Sequence, residues 1–195
     1  GGIRCEKASA FLKENGFETI TFDDLTRAVK LGAKIPEKSV ILSFDDSWGG
    51  QYVYALPLLQ KYGFKGTFFI WTGMLDKPKY LTSGQLKELA LSGMEIGGHG
   101  KSHLDLTKIS DPNMLREEVG MDKIILEKKA GVGIHYFAYP FGAFNDAVIN
   151  AVMSAGYESA RATTQGAYQT SDLLFSLHAD VMTQEYGRYF GLKTG

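Results

Sequence analysis

The sequence is poor in cysteine, in net charge and in long apolar runs. Cys5 is its one cysteine, so no disulfide can form within the chain, although a single thiol does not identify a compartment. The 21 basic and 22 acidic residues leave a net charge of -1, without the basic excess of nucleic-acid-binding proteins. No apolar run approaches the ~20 residues that a membrane-spanning helix needs. We therefore expect no disulfide framework, no nucleic-acid partner and no transmembrane segment.

The length and composition are those of an ordinary globular protein. With 195 residues, 44% of them hydrophobic, the chain is long enough to bury a substantial core, and we expect one domain over residues 1–195. The sequence starts with Gly-Gly-Ile rather than Met and shows no signal peptide, a start that fits a processed or trimmed form without establishing one. The composition gives no prediction of the oligomeric state.

Helical and strand patterns alternate along the chain. Helical spacing with capping residues or glycines at the ends predicts helices over residues 6–15, 23–32, 52–62, 83–93, 112–130 and 145–156. Apolar runs predict a short strand at 19–22, buried strands at 40–46, 66–71, 94–99, 136–140 and 159–163, and a candidate sixth strand at 175–182. Because the buried strands are apolar throughout, this order predicts parallel α/β units. A partial barrel and a wound sheet both fit.

Two adjacent carboxylates, Asp45 and Asp46, end the first predicted buried strand. Side chains alternate along a strand, so these two are expected to point in different directions within one small region. Where a parallel strand gives way to a loop, such a pair can hold a metal ion with one member and transfer protons with the other. An isolated pair of aspartates is more often a helix cap beside a solvated neighbour, so residues elsewhere must decide.

Two histidines, His99 and His103, follow the strand predicted at 94–99. If the backbone turns helical there, a spacing of four places both imidazoles on one face, within reach of one ion. Two histidines and one carboxylate, from Asp45 or Asp46, are a common ligand set for zinc or another divalent transition metal. Parallel strands bring all four residues to the same edge of the sheet, which favours a shared site.

An aromatic turn follows the fourth predicted buried strand, in the sequence Phe-Ala-Tyr-Pro-Phe-Gly at 137–142. Its proline and glycine fix a tight backbone path, which can present a backbone N–H to a developing oxyanion, and its rings can stack on a sugar. Taken alone, the segment is more typical of a plain turn with core aromatics.

The order of these motifs resembles the NodB-like polysaccharide deacetylases, carbohydrate esterase family 4. Their first motif, Thr-Phe-Asp-Asp-Gly, reads Ser-Phe-Asp-Asp-Ser at 43–47, and their histidine motif reads His-Gly-Lys-Ser-His at 99–103. Residues 62–69, 139–142 and 155–157 also match, so the resemblance extends from about Cys5 to Thr164. The form of the aromatic turn is most similar to the branch that contains biofilm poly-N-acetylglucosamine deacetylases.

The resemblance implies an α/β fold, a distorted, incomplete (β/α) barrel of mostly parallel strands. By similarity, Asp45 is the general base, while Asp46, His99 and His103 bind one divalent metal ion, with zinc preferred over cobalt, nickel or manganese. The Phe141 N–H then stabilises the oxyanion. With Phe141, the resemblance assigns the oxyanion and substrate-binding turn to two more residues, Tyr139 and Pro140.

The implied reaction removes N-acetyl groups from an acetylated polysaccharide or oligosaccharide, of the N-acetylglucosamine type. Two alternatives stay open, an O-acetyl esterase of the acetylxylan type and an inactive carbohydrate-binding relative. The resemblance also implies an extracytoplasmic location, at the cell envelope or in a biofilm.

The chain departs from the family pattern at three points. Ala138 stands where several members have an arginine that pairs with the base; Arg161 could supply that charge, although an arginine is more commonly at the surface. Gly100 replaces the usual hydroxyl residue. The general acid is either His178, in a Leu-His segment, or a histidine in a Tyr-His segment upstream of this chain. The remaining histidine, His135, is expected at the surface.

Overall fold

Helices and short strands alternate in the computed structural model, which describes residues 2–166 and 169–180. The helices are α1 (Gly2–Glu14), α2 (Phe22–Leu31), α3 (Leu56–Tyr62), α4 (Ser83–Leu91), α5 (Pro112–Ala130) and α6 (Asp146–Ser154). The strands are β1 (Glu18–Thr19), β2 (Ser39–Val40), β3 (Ser43–Phe44), β4 (Thr67–Ile70), β5 (Glu95–Gly98), β6 (Tyr136–Ala138) and β7 (Ser159–Arg161). A π-helix, Gln51–Ala55, leads into α3.

Five parallel strands, in the order β3-β4-β5-β6-β7, form a curled half-barrel surrounded by helices. Each strand pairs with the next one along the chain, and β1 and β2 form a separate parallel pair. A doubly wound sheet reverses its strand order part-way across, whereas a barrel adds strands in sequence. The predicted α/β fold with an incomplete barrel is therefore confirmed.

The core has two parts, one on each face of the sheet. Phe68 and Ile70 of β4 are fully buried and belong to the large cluster that includes apolar residues of α3, α4, α5 and α6. Phe69, between them, points to the concave face, where it packs with Phe22 and Leu177. Burial on both faces explains why the strands are apolar without alternation.

Three helix starts differ from the predictions: α1 begins at Gly2 rather than at residue 6, the predicted start of α3 is a π-helix, and α2 begins earlier than predicted. For α2 the reason is the capping residue. The N-cap of α2 is Thr21 rather than Asp23, because the Thr21 side chain accepts a hydrogen bond from the Asp24 N–H and the Asp24 carboxylate accepts one from the Thr21 N–H. At its other end, Gly32 takes the left-handed conformation at φ 66°, as expected for a C-terminal glycine.

Three strand predictions are wrong in detail. The short strand predicted at 19–22 is reduced to β1, and Phe22 at its predicted end begins α2. The predicted strand at 40–46 is divided, because β2 pairs with β1 while β3 pairs with β4, and the chain crosses between the two sheets at residues 41–42. The candidate sixth strand is reduced to one parallel bridge between Arg161 and Leu177, which follows a 3-10 turn at Ser171–Leu173. Residues 181 and 182 of that prediction lie outside the described residues.

None of the described helices is both long and apolar enough to cross a membrane.

Candidate active site

The predicted site residues of the strand ends lie at one edge of the half-barrel. Asp45 and Asp46 follow β3, His99 follows β5, and Arg161 is the last residue of β7. The aromatic turn that carries Phe141 follows β6. Parallel strands share their carboxyl edge, so residues distant in sequence meet there.

Asp46, His99 and His103 form a cluster with the geometry of a metal site. Oδ1 of Asp46 lies 3.4 Å from Nε2 of His99 and 3.2 Å from Nε2 of His103. A tetrahedral ion with bonds of about 2.0–2.1 Å has its ligand atoms about 3.3–3.4 Å apart. All three ligand atoms lie within 4.8 Å of one another, so the residues fit a divalent ion with nitrogen and oxygen ligands.

An irregular loop, rather than a helix, brings the two histidines together. Residues 99–103, here called the histidine loop, have no regular secondary structure. Gly100 has a φ of 80° and His103 a φ of 53°, and these left-handed residues turn the chain back toward Asp46. The expectation of a helical turn is therefore wrong, although the predicted proximity of the rings is correct: their centroids are 4.8 Å apart.

Left-handed backbone also makes the side chains of the two aspartates point in different directions. Asp46 has a φ of 72° and the following Ser47 a φ of 62°, so the strand stops and the Asp46 carboxylate turns toward His99 and His103. The Asp45 carboxylate points elsewhere, to Arg161. The predicted divergence of the side chains is thus present, but it comes from a sharp turn and not from strand alternation.

A backbone carbonyl orients His99. Its Nδ1 lies 2.7 Å from the Ala138 carbonyl oxygen, an acceptor, so Nδ1 carries the proton and Nε2 is left as the lone-pair nitrogen that faces Asp46. The imidazole is buried, and it is held at β6 by the backbone of Ala138. The ring is therefore fixed in the tautomer that a metal ion requires.

The electrostatics of the cluster favour the ligand forms. The His99 imidazole beside Asp46 holds the pKa of that carboxyl below its ordinary value, and the nearby His103 and a hydrogen bond from Trp48 add to this. Burial lowers the pKa of His103, with a further contribution from His99, against the opposite effect of Asp46. An ionised aspartate and a neutral histidine are the protonation states that bind a metal ion.

Arg161 is buried and pairs with Asp45. One guanidinium nitrogen contacts Oδ1 of Asp45, and only 4% of the Arg161 side chain is exposed. The guanidinium also lies over the Phe69 ring, 4.9 Å from its centroid. The common surface position for an arginine does not apply here, and the charge absent at Ala138 is supplied from the neighbouring strand β7.

The aromatic turn exposes one ring and buries the others. Phe141, at φ 60°, is 66% exposed and packs its ring 4.8 Å from that of His103. Tyr139 is buried, donates its hydroxyl hydrogen to the Phe175 carbonyl oxygen at 2.8 Å, and has a pKa raised by burial. Pro140 is buried as well. Of the three predicted substrate-binding residues, only Phe141 offers its side chain to a ligand.

His178 lies near this edge of the sheet but in a different set of contacts. It follows Leu177, whose single bridge to Arg161 extends the sheet beyond β7. Its backbone N–H and carbonyl pair with the Gln169 amide, both at 3.0 Å. Its buried Nδ1 has no hydrogen-bond partner within the described part of the chain. The structure records no contact of His178 with the metal cluster, so its role as general acid stays a prediction.

His135 is exposed, as predicted, and its Nδ1 lies 3.1 Å from Glu158.

Comparison with known proteins identifies the family. The family model described as polysaccharide deacetylase matches residues 32–160, which include both aspartates, both loop histidines and the aromatic turn. The chain belongs to the polysaccharide deacetylase family. This confirms the resemblance that the motifs indicate.

Two curated relatives and one solved structure illustrate this polysaccharide deacetylase membership. YxkH of Bacillus subtilis (strain 168) is 29% identical over 168 residues, which cover 86% of this chain and 60% of that protein. The poly-beta-1,6-N-acetyl-D-glucosamine N-deacetylase of Escherichia coli (strain K12) is 24% identical over 191 residues, 76% of this chain and 28% of that enzyme. The chain thus spans less than two thirds of either relative.

The solved structure is the Streptococcus pyogenes deacetylase PplD in complex with acetate. It is 28% identical, with a TM-score of 0.86 over 90% of this chain and 78% of that one. The deacetylase fold is thus shared over nearly all of this chain.

A row of aromatic side chains lies beside the cluster that has the geometry of a metal site, and the sequence motifs do not indicate this row. Trp48 and Tyr80 stack with ring centroids 4.6 Å apart, and Tyr80 meets Trp71 edge-on at 6.0 Å. Trp71 in turn lies 4.8 Å from the His103 ring, which contacts Phe141. An antiparallel bridge joins Trp48 to Tyr80, and no local sequence pattern predicts this pairing.

Buried acids on α5 are a second feature that sequence reasoning missed. Asp122 is fully buried and accepts hydrogen bonds from the backbone of the histidine loop, and Glu118, one helical turn earlier, does the same. Burial raises the pKa of Asp122 to about 7, against the lowering effect of its hydrogen-bond donors. Their spacing of four, on the apolar face of a helix, is the signal that could have found them.

Proposed function

We propose that this chain removes N-acetyl groups from an amino-sugar polysaccharide of the N-acetylglucosamine type, with the help of one bound divalent metal ion. The observation that carries the proposal is the Asp46, His99 and His103 cluster with a separate carboxylate, Asp45, beside it. Three ligands leave positions on an ion open for water and substrate. We propose the whole chain, 1–195, as one catalytic domain, in an extracytoplasmic location.

Asp46, His99 and His103 are the residues that would hold the ion. Zinc suits two imidazoles and a carboxylate best, and cobalt, nickel or manganese are alternatives with the same donor set. The ion would supply Lewis-acid chemistry, by lowering the pKa of water and polarising the acetyl carbonyl. The Ala138 carbonyl keeps His99 in the correct tautomer for this task.

Asp45 acts as the general base. Its Oδ1 pairs with Arg161, and the other oxygen accepts the proton of the water that attacks the acetyl carbon. The Phe141 N–H donates a hydrogen bond to the oxygen on which negative charge develops. As the C–N bond breaks, acetate forms and the amine leaves with a proton from a general acid. His178 is the candidate for that acid, and a histidine upstream of this chain is the alternative.

The exposed aromatic row supports a sugar substrate. Trp48 is 45% exposed and stacked on Tyr80, so its free face suits the apolar C–H face of a pyranose ring. The Escherichia coli relative is named for an N-acetylglucosamine polymer, which favours N-deacetylation over the O-acetyl (acetylxylan-type) alternative. The complete set of Asp45, Asp46, His99 and His103 disfavours an inactive carbohydrate-binding relative.

The test is acetate release from acetylated chito-oligosaccharides and acetylated xylan, side by side, with each of the four metal ions. We expect release from the amino-sugar substrate and one bound metal ion per chain. Asp45→Asn should reduce the rate about 10²–10⁴-fold while the metal stays bound. Loss of metal in that variant would show that the roles of the two aspartates are reversed, and xylan-only activity would support the esterase alternative. No activity and no bound metal would overturn the proposal.

The same assay decides the general acid. His178→Ala should reduce acetate release if His178 protonates the leaving amine, with metal content unchanged. His135→Ala is the matched control, since His135 is exposed and lies outside the site. An unchanged rate in His178→Ala would place the acid elsewhere.

A further inference from the structure

The histidine loop, residues 99–103, contains both proposed histidine ligands and has no regular secondary structure of its own. Because the loop is itself neither helix nor strand, its backbone N–H groups need hydrogen-bond partners from other elements. The distance between the two ligand nitrogens therefore depends on whatever holds this loop. For residues 99–102, all of these partners but one come from a single helix, α5.

Asp122 of α5 holds the start of the loop. Its Oδ2 accepts the N–H groups of His99 and Gly100, both at 3.1 Å, and its Oδ1 accepts the Thr72 hydroxyl hydrogen at 2.7 Å. The His99 N–H also reaches the Ile70 carbonyl oxygen at 3.1 Å. Two successive N–H groups on one oxygen form a small anion-binding nest, which the left-handed Gly100 makes possible.

Glu118 holds the end of the loop. Its carboxylate accepts the Ser102 N–H at 2.9 Å and the Ser102 hydroxyl hydrogen at 2.8 Å. Its backbone carbonyl oxygen accepts the Lys101 N–H at 3.1 Å. Residues 99, 100, 101 and 102 thus all donate their N–H groups to two residues that are one helical turn apart on α5.

The fit of α5 against the loop leaves little room. A Cβ at Gly98 would lie 2.8 Å from Oδ2 of Asp122 and 2.3 Å from the Tyr157 hydroxyl, so glycine is needed for this approach. Asp122 is fully buried and Glu118 is nearly so. Burying two carboxylates is costly unless each is hydrogen-bonded, and here the loop supplies the donors. Apolar residues at these positions would cover the core without ordering the loop.

We propose that Asp122 and Glu118 are positioning residues that hold His99 and His103 at the spacing needed to bind one metal ion with Asp46. The inference rests on the proposed function for the identity of the ligand, a divalent ion. Neither acid reaches the ion itself; each acts through the loop backbone. Outer partners of this kind commonly change metal affinity 10–100-fold when they are lost.

The test is the Zn²⁺ affinity of the full chain, measured by competition with a chelator at neutral pH. Asp122→Ala removes the acceptor for two N–H groups, and we expect Zn²⁺ to bind about 10–100-fold more weakly. Asp122→Asn should stay within about threefold of the unchanged protein. Its amide oxygen can accept both N–H groups, and its NH₂ can donate to the Thr72 hydroxyl, which can act as an acceptor. Rescue by the amide separates positioning from charge.

Thr26→Ala is the matched control for lost stability. The Thr26 hydroxyl is buried and lies 2.9 Å from the Ser159 hydroxyl, away from the site, so its loss should lower the melting temperature without changing Zn²⁺ affinity. If Asp122→Ala does not fold, Glu118→Ala and Glu118→Gln form the equivalent pair. The amide that Glu118→Gln introduces can accept the Ser102 N–H and donate to the Ser102 hydroxyl.

Several outcomes would overturn the inference. Equal Zn²⁺ affinity in Asp122→Ala and in the unchanged protein would show that the acid does not position the histidines, even if the melting temperature falls. Weak binding in Asp122→Asn as well would point to charge rather than position. An unchanged protein that binds none of the four ions would overturn the proposed metal site and this inference with it, whereas the first two outcomes leave the proposed function intact.

Discussion

Arg161 and Asp45 form the contact on which the proposed base depends. The Arg161 guanidinium is buried against the Phe69 ring. The side chain is therefore held in one position, whereas the long side chain of an exposed arginine is flexible. Asp45, by contrast, keeps about a third of its side chain exposed to solvent. The pair therefore fixes one carboxylate oxygen and leaves the other accessible to water.

Replacing Arg161 should impair turnover more than substrate binding. Arg161→Met keeps much of the apolar stem and removes the fork that holds Asp45. A displaced base of this kind lowers kcat by about 10²-fold, and we expect little change in KM or in metal content. Arg161→Lys should fall between, since a lysine keeps the charge but not the planar fork.

The measurement is steady-state acetate release, with Arg27→Met as control. Arg27 is an exposed arginine whose pair with Asp23, at 3.8 Å, lies outside the site, so its loss should leave kcat unchanged. An Arg161→Met variant that is folded and turns over at the normal rate would contradict the assignment.

At the scale of single residues, the sequence was sufficient to predict the groups that are proposed to react, but not the contacts that hold them. The cluster of Asp46, His99 and His103 could be predicted because the ability of a side chain to bind a metal ion depends on its residue type. Arg161 could be named as a candidate partner of the base, but the contact itself depends on the register of β6 and β7, which pairs Ala138 with Arg161 across the sheet. That register places the Arg161 charge next to Ala138, the position at which several family members have an arginine.

Among the elements, the segment after β3 combines a proposed metal ligand and a proposed sugar-binding surface within three residues. The indole N–H of Trp48 donates to the Asp46 carboxylate, while one face of its ring stacks on Tyr80 and the other face stays free. One side chain therefore joins the metal cluster to the aromatic row. A sugar that stacks on Trp48 would lie directly beside the proposed ion.

Trp48→Ala should raise the KM for an acetylated oligosaccharide about 2–13-fold. Aromatic stacking contributes about 0.5–1.5 kcal/mol, which is that factor at room temperature. The KM for a small acetylated amine without a sugar should change little, because the row then makes no contact. Tyr54→Ala removes another exposed aromatic outside the row and serves as control. An equal loss with both substrates would show that Trp48 acts only through Asp46.

The elements themselves were predicted where periodicity is strong and missed where tertiary pairing decides. The long helix α5 agrees with its prediction at both ends, since Asp111 caps its start and Gly131 its end. The division of the strand at 40–46 and the irregular histidine loop follow from long-range partners. Local propensity carries no information about those partners.

On the scale of the whole molecule, the half-barrel explains why so many polar groups can meet at one edge. Successive parallel strands end side by side, so each adds a loop to the same rim while its apolar middle stays in the core. The order of helices and strands was enough to predict this architecture. The closing contacts on the concave face, such as Phe22 with Phe69, could not be predicted because they join residues far apart in sequence.

The same rim couples metal binding, pH and the stability of the whole fold. The pKa of His103 is lowered in the folded state, so the unfolded chain binds its proton more tightly. The stability that the neutral imidazole contributes is present above the ordinary histidine pKa of about 6.5 and is lost as pH falls through the lowered value. Asp46, with its lowered pKa, acts in the same direction below its ordinary pKa of 3.8. Acid should therefore destabilise the metal-free protein.

A divalent ion should oppose this loss only while His103 is neutral. Zn²⁺ at about 100 times its dissociation constant adds about 2.7 kcal/mol to folding, which for a chain of this size raises the melting temperature by about 5–10 °C at pH 7.5. The rise should shrink toward zero at pH 5, where protons compete for the ligand nitrogens. Melting curves with Zn²⁺ or with a chelator, recorded at both pH values, measure the difference. His103→Ala should abolish the rise and His135→Ala should keep it; a rise that persists in His103→Ala would locate the stabilising ion elsewhere on the molecule.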